Sequence, residues 1–206
     1  MKDAVERPGN PPERRRLWFL SDRRIGNYVL LGLVIIAGYF FAFRGMRFFA
    51  VPSQSMEPAL LPGDQLVTLH ESHYQRGDIV VLREENGEYL VKRIAGLPGD
   101  SILITEGALF INESYASEPY IKEPMSYTAA PSAPVPPGHV YLLGDNRNNS
   151  DDSSANGTNY PLSSVVGKVI FRYYPYDRWG AVASYPLRTV DELETELGTA
   201  TAHRLE

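Results

Sequence analysis

Three stretches of this chain bring together residue types that can do chemistry. In Val51-Pro52-Ser53-Gln54-Ser55-Met56-Glu57-Pro58, two serines lie between prolines whose rings fix the backbone on either side. A serine hydroxyl attacks a carbonyl only when a base stands beside it. Val91-Lys92-Arg93 sets two cations into an apolar run, and strand alternation sends them to opposite faces, so that one of them faces inward. Gly144-Asp145-Asn146-Arg147-Asn148-Asn149-Ser150-Asp151-Asp152-Ser153 is a dense polar turn directly after the apolar Tyr141-Leu142-Leu143. Singly, these are a proline-bounded loop, an edge lysine and an ordinary turn. His70, His73, His139 and His203 lie outside all three stretches, and the chain has no cysteine. A thiol nucleophile, a thiolate zinc site and a disulfide scaffold are therefore excluded.

The elements that must position these residues follow from the pattern around them. With 206 residues, 43% hydrophobic and 22% charged, the chain can bury one ordinary core. A net charge of -5 argues against nucleic acid as a partner. The first 26 residues carry seven Lys/Arg against four acids. The uncharged, proline-free run Tyr28–Phe43 follows, YVLLGLVIIAGYFFAF. A bilayer core needs about 20 apolar residues as helix. Arg44 and Arg47 can snorkel, and Phe48–Val51 extend the apolar character. Basic residues ahead of the run orient the N-terminus to the cytoplasm and residues after about 48 to the far side.

Beyond it come short apolar runs bounded by turn residues. Strands are expected at Asp64–Leu69, Asp78–Arg83, Tyr89–Ile94, Ser101–Thr105, Ala108–Asn112, Val140–Leu143 and Val165–Tyr174. Glu106-Gly107 reads as a two-residue hairpin turn. Residues 123–138 are too proline-rich for a sheet, and only Val190–Leu197 has helical periodicity after the membrane run. The expected fold class is mainly β: an antiparallel β-sheet domain with a small extension, preceded by one N-terminal transmembrane helix. The expected divisions are a basic cytoplasmic segment (1–26), a transmembrane anchor (27–48), a β domain holding the three polar stretches (49–184) and a polar, peripheral C-terminal tail (185–206).

Taken in order, the stretches resemble the boxes of type I signal peptidases (leader peptidases) of the bacterial and organellar Ser-Lys kind. PSQSMEPALLPGD is similar to that family's serine box, RGDIVVL to its following strand, YLVKRIAGLPGD to its lysine box and GDNRNNSDDS to its last box. The resemblance spans roughly residues 44–180. It implies a serine endopeptidase with Ser55 as nucleophile and Lys92 as general base, which requires burial to lower the lysine pKa. It further implies Ser53 in the oxyanion hole, Ser150 orienting the lysine, Arg93, Asp145 and Asp152 as supports, and Phe49, Val51 and Val91 lining the substrate pockets. No cofactor and no metal are implied. The implied partners are signal-peptide-bearing preproteins cleaved after small residues in an A-x-A pattern, the lipid bilayer and the protein export machinery. The implied location is the cytoplasmic membrane, with the catalytic domain on its extracytoplasmic side. Two positions depart from the pattern: Asn148 stands where the family has Asp, and Ser154 where it has Arg. A self-cleaving Ser-Lys regulator would carry a DNA-binding helix-turn-helix in place of the apolar run. A non-catalytic envelope-binding β module would leave Ser55 and Lys92 dispensable. The S-x-x-K spacing of β-lactamases is absent at Ser55.

Overall fold

A computed structural model describes residues 23–43 and 45–195. The chain divides into two compact units, residues 1–40 and 41–206. Helix α1 runs Arg23–Phe43, and its described apolar side chains, among them Val29, Leu30, Leu33 and Ile35, are exposed. Among the described residues no helix is long and apolar enough to cross a membrane. The boundary expected at residue 48 is corrected: Arg47–Ala50 form strand β1, because Phe48 and Phe49 pair with β2 rather than extend the helix. The basic segment before Arg23 lies outside the described residues.

The second unit is antiparallel β, as expected, with a small extension. After β1 come β2 (Gln65–Leu69), β3 (Ile79–Arg83), β4 (Tyr89–Gly96), β5 (Ile102–Thr105), β6 (Ala108–Ile111) and β7 (Ser114–Ala116). They are followed by β8 (His139–Leu143), the four-residue helix α2 (Ser153–Asn156), β9 (Tyr160–Pro161), β10 (Val165–Tyr174) and β11 (Gly180–Ala181). The large sheet runs β1-β2-β10-β3-β4-β8-β9, with β11 on β10, and β5-β6-β7 form the extension. Glu106 and Gly107, both at positive φ, make the tight turn between β5 and β6.

The sheet curves back on itself. Phe49 of β1 packs against Tyr89 of β4 with ring centroids 5.0 Å apart, although three strands separate them in the order. Beneath this closure Val51, Met56, Leu60, Leu66, Ile79, Val81, Val91 and Val169 form one core cluster. A second cluster lies between β5–β7 and β8, and a third gathers Val80, Leu82, Ile94, Val140, Leu142 and Val165. Because β4 is covered on both faces, Lys92 and Arg93 are both buried, where alternation led us to expect only one inward.

The C-terminal segment is not the peripheral tail that its polarity suggests. Leu187 and Thr189 are buried, Leu187 joins the cluster around the small sheet, and Glu192 pairs with Arg76 at 2.6 Å. Alternation over 187–190 turns every second side chain inward. A helical turn follows at 190–195.

Candidate active site

Ser55 sits in a 3-10 turn, Gln54–Met56, whose Met56 side chain is wholly buried and pins the turn to the core. Leu60 N–H donates to Met56 O, and Val51 exchanges backbone bonds with Gly63 and Asp64, so the loop closes on itself. Ser55 is 9% exposed. The extended residue Ser53 precedes the turn, and its Oγ donates to Ser55 Oγ at 3.2 Å.

Lys92 is 3% exposed and lies opposite Val80 in the ladder between β3 and β4. The turn carrying Ser55 packs on β4 and on the turn formed by Arg147–Asn149. Lys92 Nζ donates to Ser150 Oγ at 2.8 Å. Burial pushes the Lys92 pKa below the ordinary lysine value of 10.5, against an upward pull from Asp152, Asp151 and Glu84. Its proton is thus easier to lose than that of a lysine in water.

The remaining supports are ion pairs and caps. Arg93 grips Asp145 with both ends of its fork, at 2.8 and 2.6 Å, and donates to Gly77 O at 2.7 Å. Its guanidinium lies 4.0 Å over the Tyr120 ring. Burial raises the Asp145 pKa, and the Arg93 hydrogen bonds oppose the rise. Asp152 caps α2, accepting from Ser154 N–H and Ser154 Oγ, and also accepts from Gly144 N–H at 2.9 Å. Ser154 thereby partners Asp152 from the position where arginine was expected, and Tyr127 Oη meets Ser154 Oγ at 2.8 Å. Asn148 donates to Glu123 and Pro124 O and accepts from Ser126, a set that an aspartate could not complete.

A groove of about 910 Å³ runs along the closure, lined by Phe48, Phe49, Pro52, Ser53, Tyr89 and Leu90. Phe49 is the only one of the three expected pocket residues to line it. Val51 and Val91 are core side chains in the cluster on which Phe49 packs. β8 pairs with β4 only from Arg93 onward, so Tyr89–Lys92 offers an open edge on that side among the described strands, and β1 is the end of the sheet. The sequence reading passed over two buried residues here. Asn146 bonds to the Ser55 turn, and Arg147 is held by Glu118 and Gly144 O. Both stand inside the last polar stretch, but nothing in their spacing said what they would touch.

A family model described as "Signal peptidase, peptidase S26" matches residues 24–174. A probable signal peptidase I-1 of Synechocystis is 36% identical over 166 residues, covering 70% of this chain and 84% of that protein. Signal peptidase I U of Bacillus subtilis is 32% identical over 75% of this chain and 90% of its own. The chloroplastic thylakoidal processing peptidase 1 of Arabidopsis thaliana is 37% identical over 61% of this chain and 41% of its own length. A crystal structure of a signal peptidase I from Enterococcus faecalis is 32% identical, with a TM-score of 0.42 over 47% of this chain and 97% of that one.

Proposed function

Because this chain belongs to the signal peptidase family, peptidase S26, we propose that it removes N-terminal signal peptides from exported preproteins, cleaving after small residues in an A-x-A pattern with a Ser55-Lys92 dyad. One observation carries the dyad: a lysine 3% exposed, with its pKa lowered by burial and its amine on a serine hydroxyl, stands on the strand that supports the Ser55 turn. A lysine placed to make an ordinary surface ion pair would keep its proton.

The chemistry runs in two halves. Neutral Lys92 takes the proton of Ser55 Oγ as that oxygen attacks the scissile carbonyl carbon. The oxyanion that develops is met by Ser53 Oγ–H and Ser55 N–H, each donor worth ~2.7–4 kcal/mol of barrier. The Lys92 ammonium then gives its proton to the departing amine, leaving an ester on Ser55. In the second half Lys92 takes a proton from water, the resulting hydroxide displaces Ser55 Oγ, and the proton returns to it. Ser150 keeps the amine oriented throughout.

The extended substrate adds as a strand in the groove between β1 and the open stretch of β4, with Phe49 bounding a shallow apolar pocket. The uncharged run of α1 and its exposed apolar side chains support attachment to a bilayer surface. There it would meet preproteins as they leave the export machinery. The test is digestion of a preprotein bearing an A-x-A site by the detergent-solubilised protein and by Ser55→Ala. Cleavage after the second small residue, absent with Ser55→Ala, is expected. Cleavage elsewhere, or equal cleavage by Ser55→Ala, overturns the proposal.

A further inference from the structure

The side chain of Asn146 has no part in the chemistry described above, yet it is 3% exposed and aimed at the nucleophile's turn. Its Nδ2 donates to Gln54 O at 3.1 Å, and its backbone N–H donates to Ser55 O at 3.0 Å. Gln54 O also accepts from Glu57 N–H at 3.1 Å. The two carbonyls held by Asn146 flank Ser55 on its N- and C-terminal sides.

Gln54 C=O and Ser55 N–H belong to one planar peptide group, in which they point in opposite directions. Whatever fixes the carbonyl therefore fixes the N–H. We propose that Asn146 is a positioning residue: by anchoring Gln54 O it aims the Ser55 N–H at the substrate's oxyanion and polarises that donor. The geometry favours this over a merely structural tie. The turn is already pinned by Met56 in the core and closed by Glu57 N–H and the backbone bond from Asn146, none of which needs the Asn146 amide. A hydrogen bond accepted by an amide oxygen strengthens the same amide as a donor, and such cooperativity is larger away from water. The inference rests on the reading of Ser55 as nucleophile.

The test compares Asn146→Ala, the isosteric Asn146→Asp, Ser53→Ala and the Asn146→Ala/Ser53→Ala pair in preprotein cleavage, each with its melting temperature. Asn146→Ala is expected to lower kcat by about 10-fold to 10²-fold with KM within about threefold, because the lost aim acts on the transition state. Asn146→Asp, which cannot donate, is expected to lose at least as much. Ser53 and the Ser55 N–H serve one oxyanion, so the double variant should lose clearly less than the product of the two single losses. Strict multiplication of the losses, a fall confined to KM, or a kcat within about twofold of the parent would overturn the inference. So would a kcat loss that simply tracks melting temperature across the two Asn146 variants. Ser55→Ala run alongside separates the two readings. If it stays active, the serine assignment has failed. If it is dead while Asn146→Ala keeps its kcat, only the role of Asn146 has failed.

Discussion

A buried lysine is expensive when charged, and under the proposed mechanism Lys92 is the residue at which stability and chemistry pull in opposite directions. Its pKa lies below 10.5 because burial disfavours the ammonium more than Asp152, Asp151 and Glu84 favour it. Between that lowered value and 10.5 the unfolded chain binds more protons than the folded one, so this group's contribution to stability rises with pH in that window. Below the window the folded protein carries the full cost of a buried charge. Lys92→Met, which keeps the aliphatic length and drops the amine, should therefore abolish cleavage while raising the melting temperature at neutral pH. The gain should shrink as pH approaches 10.5, and thermal melts across pH read it directly. Ser53→Ala should lower kcat by ~10²–10³-fold with the melting temperature nearly unchanged, since Ser53 is an exposed residue outside the core clusters. The stretches that hold the serines, the lysine and Ser150 stood out by residue type, and the contact between Lys92 and Ser150 was expected only through the family resemblance. That Arg93 would be buried beside Lys92 was not, because alternation does not reveal that β4 has cover on both faces.

Among the elements, three turns share one device. Asp64, Asp78 and Asp100 each donate their backbone N–H to the carbonyl three residues earlier and accept that residue's N–H on the carboxylate. Each carboxylate also holds a distant cation: Arg172 and Arg178 on Asp64, Lys168 on Asp78, Arg76 on Asp100. The preceding glycines take positive φ to make the turn, and at Gly77 a Cβ would also meet Tyr185 O at 1.7 Å. The sequence showed that turn residues bound these strands, but not that the three aspartates would close the turns or which distant cations they would hold. Burial pushes the Asp100 carboxyl up, but bonds from Arg76, Leu97 N–H and Asn112 outweigh it and hold the pKa below 3.8. This contribution is present above 3.8 and is lost as pH falls through the lowered value. Asp100→Ala should cost ~1–3 kcal/mol at pH 7 by removing the hydrogen bonds from Arg76 and Leu97 N–H, with Arg76 keeping Glu192, and denaturant titration against pH measures it. At Gly144 a Cβ would stand 2.3 Å from Ser150 Oγ and 2.5 Å from Ser55 O. Gly144→Ala should thus separate the two turns and lower kcat at least 10²-fold, a loss measurable at temperatures where the variant remains folded.

For the catalytic unit as a whole, the sequence disclosed the antiparallel class, most strands and the small extension. It did not disclose the closure of β1 onto β4, which depends on sheet curvature and on the Phe49–Tyr89 contact between residues far apart in the chain. The C-terminal segment was misjudged for a related reason. Its polar composition hid the fact that Leu187 fills the core of the small sheet while Tyr185 stacks on Tyr120, itself lying over Arg93. Ending the chain at residue 184 should therefore lower the melting temperature by several degrees and slow cleavage, where a peripheral tail would leave both unchanged. The proposed mechanism rests on a single requirement, a lysine kept neutral enough to take a proton from Ser55. The most direct measurement is the pH dependence of kcat/KM for preprotein cleavage by the parent protein and by Lys92→Ala. The account predicts a rate that rises with pH along a limb whose apparent pKa lies below 10.5, and no cleavage by Lys92→Ala at any pH. Cleavage by Lys92→Ala within a few-fold of the parent, with the same limb, would contradict it.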